Sequence, residues 1–139
     1  MIYHAVVDTN VFVSSFVTHN EQSSTIRIVD EIINGRIVPI YSRYLLNEYR
    51  TVLSRSIFNL NDRVISEFLN LIVSRGIHVE PPGCDIMLPD IKDIPIYEVI
   101  LGTRGLNSFL ITGNTRHFPS EVFVVTPTQM VSIIDGAKE

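Results

Sequence analysis

Four side chains able to offer oxygen to a hard cation are spread along the chain: Asp8, Glu48, Asp93 and the amide Asn114. Mg²⁺ and Mn²⁺ prefer such ligands in near-octahedral geometry, and two or three carboxylates with several waters make an ordinary site. A metal so held can make a water nucleophilic and stabilise a leaving oxygen of a phosphodiester, and two ions about 4 Å apart can do both. Carboxylates alone would repel an anionic backbone; with metal bound, the same pocket attracts it.

Each residue also has an ordinary structural alternative. Asp8 can end a strand in a turn. Asp93 can be a helix N-cap, the usual role of Asp near a helix start. Glu48 can sit on a helix surface paired with Arg43 or Arg50, and Asn114 after Gly113 is a common turn residue.

The elements that must position these groups alternate between strand and helix. His4 to Val7 is a short apolar run ending at Asp8, a buried-strand signal. Val11 to Phe16 begins a helix, and Ser23 or Ser24 caps a second that ends at Gly35. Arg36 to Tyr41 reads as a strand, with Pro39 expected to demote it or force a bulge. Ser42 caps a helix from Arg43 to about Arg55, and Asn61 or Asp62 caps another that ends at Gly76. Ile77 to Val79 is a short strand, and Asp93 to about Leu101 is helical with Pro95 in its first turn. Ser108 to Thr112 and Val122 to Val125 are strands. Thr126-Pro127-Thr128-Gln129 is a capping box opening a last helix to about Asp135.

This alternation implies an α/β fold: a parallel sheet with helices on both faces and right-handed crossovers. Ligands in such sheets sit outside the carboxyl ends of the strands. Asp8 follows the first strand, Gly113-Asn114 follow the strand at Ser108 to Thr112, Glu48 lies in the helix after the second strand, and Asp93 stands near a helix start. All four groups are therefore expected at one edge.

The chain has 139 residues, enough for one domain spanning 1–139 and too few for two. Its 45% hydrophobic and 19% charged residues suit an ordinary globular protein, and no run approaches the roughly 18 apolar residues of a membrane span. The N-terminus has no basic region before its apolar run, and Asp8 interrupts that run, so no signal peptide is expected. Cys84 is the only cysteine, which excludes an intrachain disulfide and fits a reducing, cytoplasmic compartment. The net charge of −4 weighs against nucleic-acid binding, although carboxylates that hold a metal are partly neutralised. Nine of the eleven basic residues are Arg, whose planar fork suits phosphate. Arg43 and Arg50 share a helix face and, with Arg116, are candidate RNA contacts; a solvated helix surface is the alternative for that face.

Taken in order, the motifs resemble the PIN-domain family, in particular its single-domain toxin-component branch. The matching pieces are Val7-Asp8-Thr9-Asn10-Val11-Phe12, Leu45-Leu46-Asn47-Glu48-Tyr49, Pro89-Asp90-Ile91-Lys92-Asp93-Ile94-Pro95, Leu110-Ile111-Thr112-Gly113-Asn114 with His117-Phe118-Pro119, and Val125-Thr126-Pro127. Each is weak alone; five in register across nearly the whole chain are specific. The resemblance implies a three-layer α/β/α sandwich around a parallel sheet of four to five strands, and a ribonuclease dependent on Mg²⁺ or Mn²⁺. Carried over, Asp8, Glu48 and Asp93 match the catalytic, metal-binding acidic triad. Asp90 matches a further acidic position, and Thr9, Asn10 and Thr112 match small polar positions, Thr112 being placed to orient a carboxylate or a water. Many members carry aspartate where Asn114 stands, so Asn114 implies a weaker second-metal position and a one-metal arrangement. His117, in a His-Phe-Pro context of structural character, is a weak candidate proton carrier. The resemblance also implies a cognate antitoxin protein as partner and a homodimer with an isologous interface.

Two other classes compete. One is a PIN-fold module that binds RNA or protein without cutting, which the net charge and Asn114 allow. The other is a phosphoryl-transfer enzyme on a doubly wound sheet, which wants an acidic pair or an Asp-x-Asp motif; the residue two after Asp8 is Asn10. A DNA substrate stays open, because an acidic site reads the phosphodiester and not the sugar.

Overall fold

A computed structural model of the chain describes residues 1–83 and 85–137. Cys84 lies outside the described residues. Five strands and six α-helices alternate: β1 (Tyr3–Val7), α1 (Thr9–Val17), α2 (Ser24–Ile33), β2 (Ile37–Tyr41), α3 (Arg43–Leu53), α4 (Asp62–Arg75), β3 (Ile77–His78), α5 (Ile94–Gly102), β4 (Phe109–Ile111), β5 (Val124–Val125) and α6 (Pro127–Gly136). All strand pairs are parallel, in the order β3-β2-β1-β4-β5.

Neighbouring residues on a strand point to opposite faces, so a run buried without a break needs cover on both. Ala5, Val6 and Val7 are such a run in β1, and Leu110, Ile111 and Thr112 are another at β4. Helices meet that demand on either side and complete the three-layer α/β/α sandwich. The strand order reverses between β1 and β4, because the chain leaves β1 towards β2 and β3 and returns to β4 on the other side. A crevice opens at the carboxyl ends of strands where the order reverses in this way.

Local signals set most helix ends. Ser42 Oγ accepts from the Leu45 amide at 3.1 Å, Asn61 caps α4, and Thr126 and Gln129 form a reciprocal capping box on α6. Ser23, not Ser24, caps α2, and Gly35 behind it adopts a φ of +82°. The first helix begins at Thr9, directly after Asp8, rather than at Val11, because β1 passes into it with no intervening loop.

Pro39 causes neither demotion nor bulge. It pairs in regular register opposite Ala5 within β2, which lies between β1 and β3. The missing N–H is tolerated because β3 joins β2 only from Ile40 onward. The last strand is shorter than expected: Val122 is almost fully exposed, and only Val124 and Val125 pair with β4.

An aromatic cluster ties the helices around the crevice. The Phe12 ring stands edge-on to Tyr49 and to Phe68, with centroids 4.9 and 4.8 Å apart, which joins α1 to α3 and α4. Among the described residues, no helix is long and apolar enough to cross a membrane.

Candidate metal centre

Two aspartates stand at the N-cap positions of two helices, and neither caps its helix. Asp8 precedes α1 and Asp93 precedes α5, and each side chain leaves its helix start without a capping hydrogen bond. Each carboxylate is bonded to a residue distant in the chain, and Asp8 also to its near neighbour Asn10. Asp8 Oδ2 accepts from Thr112 Oγ1 at 2.8 Å and from Asn10 Nδ2 at 3.4 Å, and among the described residues no side chain donates to Oδ1. Thr112 is itself fixed, since its hydroxyl oxygen accepts from the Asn114 amide at 3.0 Å. Asp93 Oδ2 lies 3.1 Å from His117 Nδ1.

Glu48 comes from α3 and is half-buried. Among the described residues it forms no ion pair with Arg43, Arg50 or any other cation. Its neighbour Tyr49 points inward, fully buried, and donates from its hydroxyl to the carbonyl of Val7 at 2.5 Å. That bond fastens the helix bearing Glu48 to the strand end bearing Asp8. The sequence marks Tyr49 only as an apolar face; nothing local announces that its hydroxyl finds a strand carbonyl.

Asp8, Glu48, Asp90 and Asp93 line one groove of about 350 Å³, together with Thr9 and Asn10. Asp90 has a second task, accepting from the Lys92 amide to cap a short 3₁₀ turn at Ile91–Asp93. The electrostatics agree with the geometry. Burial pushes the Asp8 carboxyl above its ordinary value and the charge of Asp93 adds to this, against the Thr112 hydroxyl, the Thr9 backbone N–H and His117. Burial, then Asp90, push Asp93 up, opposed by His117. Burial, with the negative charges of Glu48, Asp93 and Asp90, raises the nearby Tyr44 phenol.

The donor set suits a small hard cation. Among the described residues, no three His, Cys, Asp or Glu side chains stand close enough to enclose an ion by themselves. An ion held here would keep part of its water shell, as Mg²⁺ does when one or two carboxylates bind it. Thr9 Oγ1, beside the acids, is buried with no hydrogen-bond partner among the described residues, a hydroxyl that a water or ion could satisfy.

Some expected residues lie elsewhere. Asn114 is not in the groove: it lines a neighbouring cavity with Asn10 and Gly113, because the turn after β4 carries it past Asp8. Arg43 and Arg50 are exposed on α3 outside the groove, and Arg116 lines a separate cavity of about 730 Å³ between the segment 115–125 and α6. The cations at the groove are Arg55 and Lys92, both exposed and without an ion pair among the described residues. Arg55 follows α3, where helical periodicity no longer predicts direction, so a face count on α3 misses it.

A family model for the PIN domain matches residues 4–116, from the second residue of β1 to just beyond Asn114. The chain belongs to the PIN domain family. PIN domains are in general nucleases, and in general they use divalent metal ions. No curated protein matches the chain. The matched stretch of this PIN domain contains all four groove carboxylates and both strands at the sheet's reversal point.

Proposed function

We propose that this PIN domain is a metal-dependent endoribonuclease and the toxin of a type II toxin–antitoxin pair. In this reading it acts in the cytoplasm as a homodimer, restrained by a cognate antitoxin. The observation that carries the nuclease reading is that Asp8 and Asp93, each before a helix and neither with a side-chain cap bond, line one groove with Glu48. The toxin role and its partners rest on the order of the five sequence motifs.

Asp8, Asp93 and Glu48 would hold Mg²⁺ or Mn²⁺, with Asp90 adding negative field from the rim. When bound, the ion supplies charge that offsets the phosphodiester and makes a water nucleophilic. The rest falls to the chain's own groups. Thr112 fixes the Asp8 carboxylate, and Asn10 supports it from the other side. Arg55 and Lys92 bind flanking phosphates of the RNA. His117 holds Asp93 in place and can carry a proton to or from solvent. With Asn114 outside the groove, the acids support one ion rather than two.

The test is cleavage of a mixed structured RNA by purified protein in Mn²⁺, Mg²⁺ or EDTA, beside Asp8→Asn and Asp93→Asn. Metal-dependent fragments absent from both variants are expected. A second reading, an RNA-binding PIN module without turnover, draws on the looseness of the acidic cluster. Retention of RNA in EDTA and in metal, with no fragments in either, would favour it.

A further inference from the structure

The groove has a neighbour of opposite character. A cavity of about 240 Å³ is lined by Asn10, Val11, Ser14, Thr25, Gly113, Asn114 and Pro127. Among the described residues no charged side chain lines it, although the groove beside it carries four carboxylates and two cations. Asn10 is the partition: it lines both cavities, donating to Asp8 Oδ2 on one side and accepting from the Gly113 amide at 3.2 Å on the other.

The polar groups in this second cavity differ in availability. Asn10 is committed by its two bonds. Thr25 Oγ1 is bonded to Ser14 Oγ at 3.3 Å and to Ser23 Oγ at 2.9 Å. The Asn114 carboxamide is exposed and makes no hydrogen bond among the described residues; its backbone is engaged, the N–H donating to Thr112 Oγ1 and the carbonyl accepting from the His117 amide. Val11 and Pro127 supply apolar wall. A free carboxamide offers a donor and an acceptor side by side, the pattern that pairs with a base edge. An uncharged pocket one residue from a phosphate-reading site suits the base of a single-stranded nucleotide, which is splayed out and read on its edge.

We propose that this cavity is a nucleobase pocket, in which the Asn114 carboxamide reads the base edge while the adjoining nucleotide's phosphate lies in the acidic groove. The proposal rests on the groove being a nucleic-acid site. It gives Asn114 a specificity role in place of metal ligation.

The test uses the ¹⁵N-labelled full chain in EDTA, titrated separately with adenosine, guanosine, cytidine, uridine and free ribose to about 10 mM. At least one nucleoside should saturably shift the side-chain amide signals of Asn10 and Asn114, and ribose should not. Asn114→Ala should weaken that nucleoside about tenfold, the loss of one paired edge. No shift with any nucleoside, an equal shift with ribose, or equal binding by Asn114→Ala would overturn the proposal. The titration needs neither metal nor turnover, so it reads the pocket even if RNA is not cut. Conversely, cleavage without nucleoside binding would leave the nuclease standing and remove the pocket.

Discussion

Asp8 and Thr112, 104 positions apart in the chain, share a 2.8 Å hydrogen bond that joins the carboxyl ends of β1 and β4. These are the two strands between which the strand order reverses. The bond places an ionisable oxygen at the one point where the fold itself opens a crevice, and the Asn114 amide behind Thr112 keeps the hydroxyl aimed. The acidic groove is thus anchored at the end of β1 by Asp8, with α3 and the turn before α5 supplying its other acids.

Burial raises Asp8, so its charge is costly to the metal-free fold. Between the ordinary carboxylate value and the raised one, the folded chain holds a proton that the unfolded chain has released. The stability contributed by Asp8 therefore falls as pH rises through that window. Asn at this position still accepts from Thr112 and carries no charge. In EDTA at pH 8, Asp8→Asn should unfold on the order of 1 kcal/mol later than the parent, roughly 3 °C in Tm. The gap should narrow as pH falls through the raised value towards the ordinary carboxylate range. A gap that is constant with pH, or of the opposite sign, would contradict the burial argument.

Adding metal should reverse that ranking. Mn²⁺ at about a hundred times its Kd would stabilise the parent by about 2.7 kcal/mol. Asp8→Asn and Asp93→Asn should lose most of this gain. Thermal unfolding with and without Mn²⁺ reads the effect directly, and equal stabilisation of all three proteins would place the ion elsewhere.

Tyr49→Phe removes the hydroxyl that holds the Val7 carbonyl and leaves that buried acceptor unpaired. The cost should be about 1 to 1.5 kcal/mol in urea unfolding. Because the bond sets Glu48 relative to Asp8, Mn²⁺ affinity should weaken and any RNA cleavage should fall roughly tenfold. Loss of stability with unchanged metal affinity would make Tyr49 a core residue only.

Gly76 is required for space rather than for backbone freedom. A Cβ there would fall 2.5 Å from the carbonyl oxygens of both Ile72 and Pro39, where α4 meets the sheet. Neither backbone atom can yield cheaply. Gly76→Ala should destabilise by about 1–3 kcal/mol or more, measured as a lower urea midpoint. A neutral result would mean that α4 can shift on β2.

The architecture was largely legible because its signals are local. Ser42, Asn61, Thr126 with Gln129, and Gly35 act over two to four residues, so the stretch itself carries the information. Pro39 was misread because its effect depends on where β3 begins to pair, a matter of register between distant segments. Asp93 illustrates the same limit: an Asp before Ile94-Pro95 reads as a cap, and only the approach of His117 from 24 positions away shows its carboxylate drawn elsewhere.

By itself the sequence determined the alternation of elements, the family, and which acids stood beside strand ends or helix starts. Periodicity, capping and motif order are properties of neighbouring residues. Tertiary structure alone decided that Arg55 and Lys92 face the groove in place of Arg43 and Arg50, that Asn114 passes into an uncharged pocket, and that the Tyr49 hydroxyl binds the strand before Asp8. Those outcomes depend on how helices lie across a twisted sheet, and a few degrees of packing move a side chain from one cavity to the next.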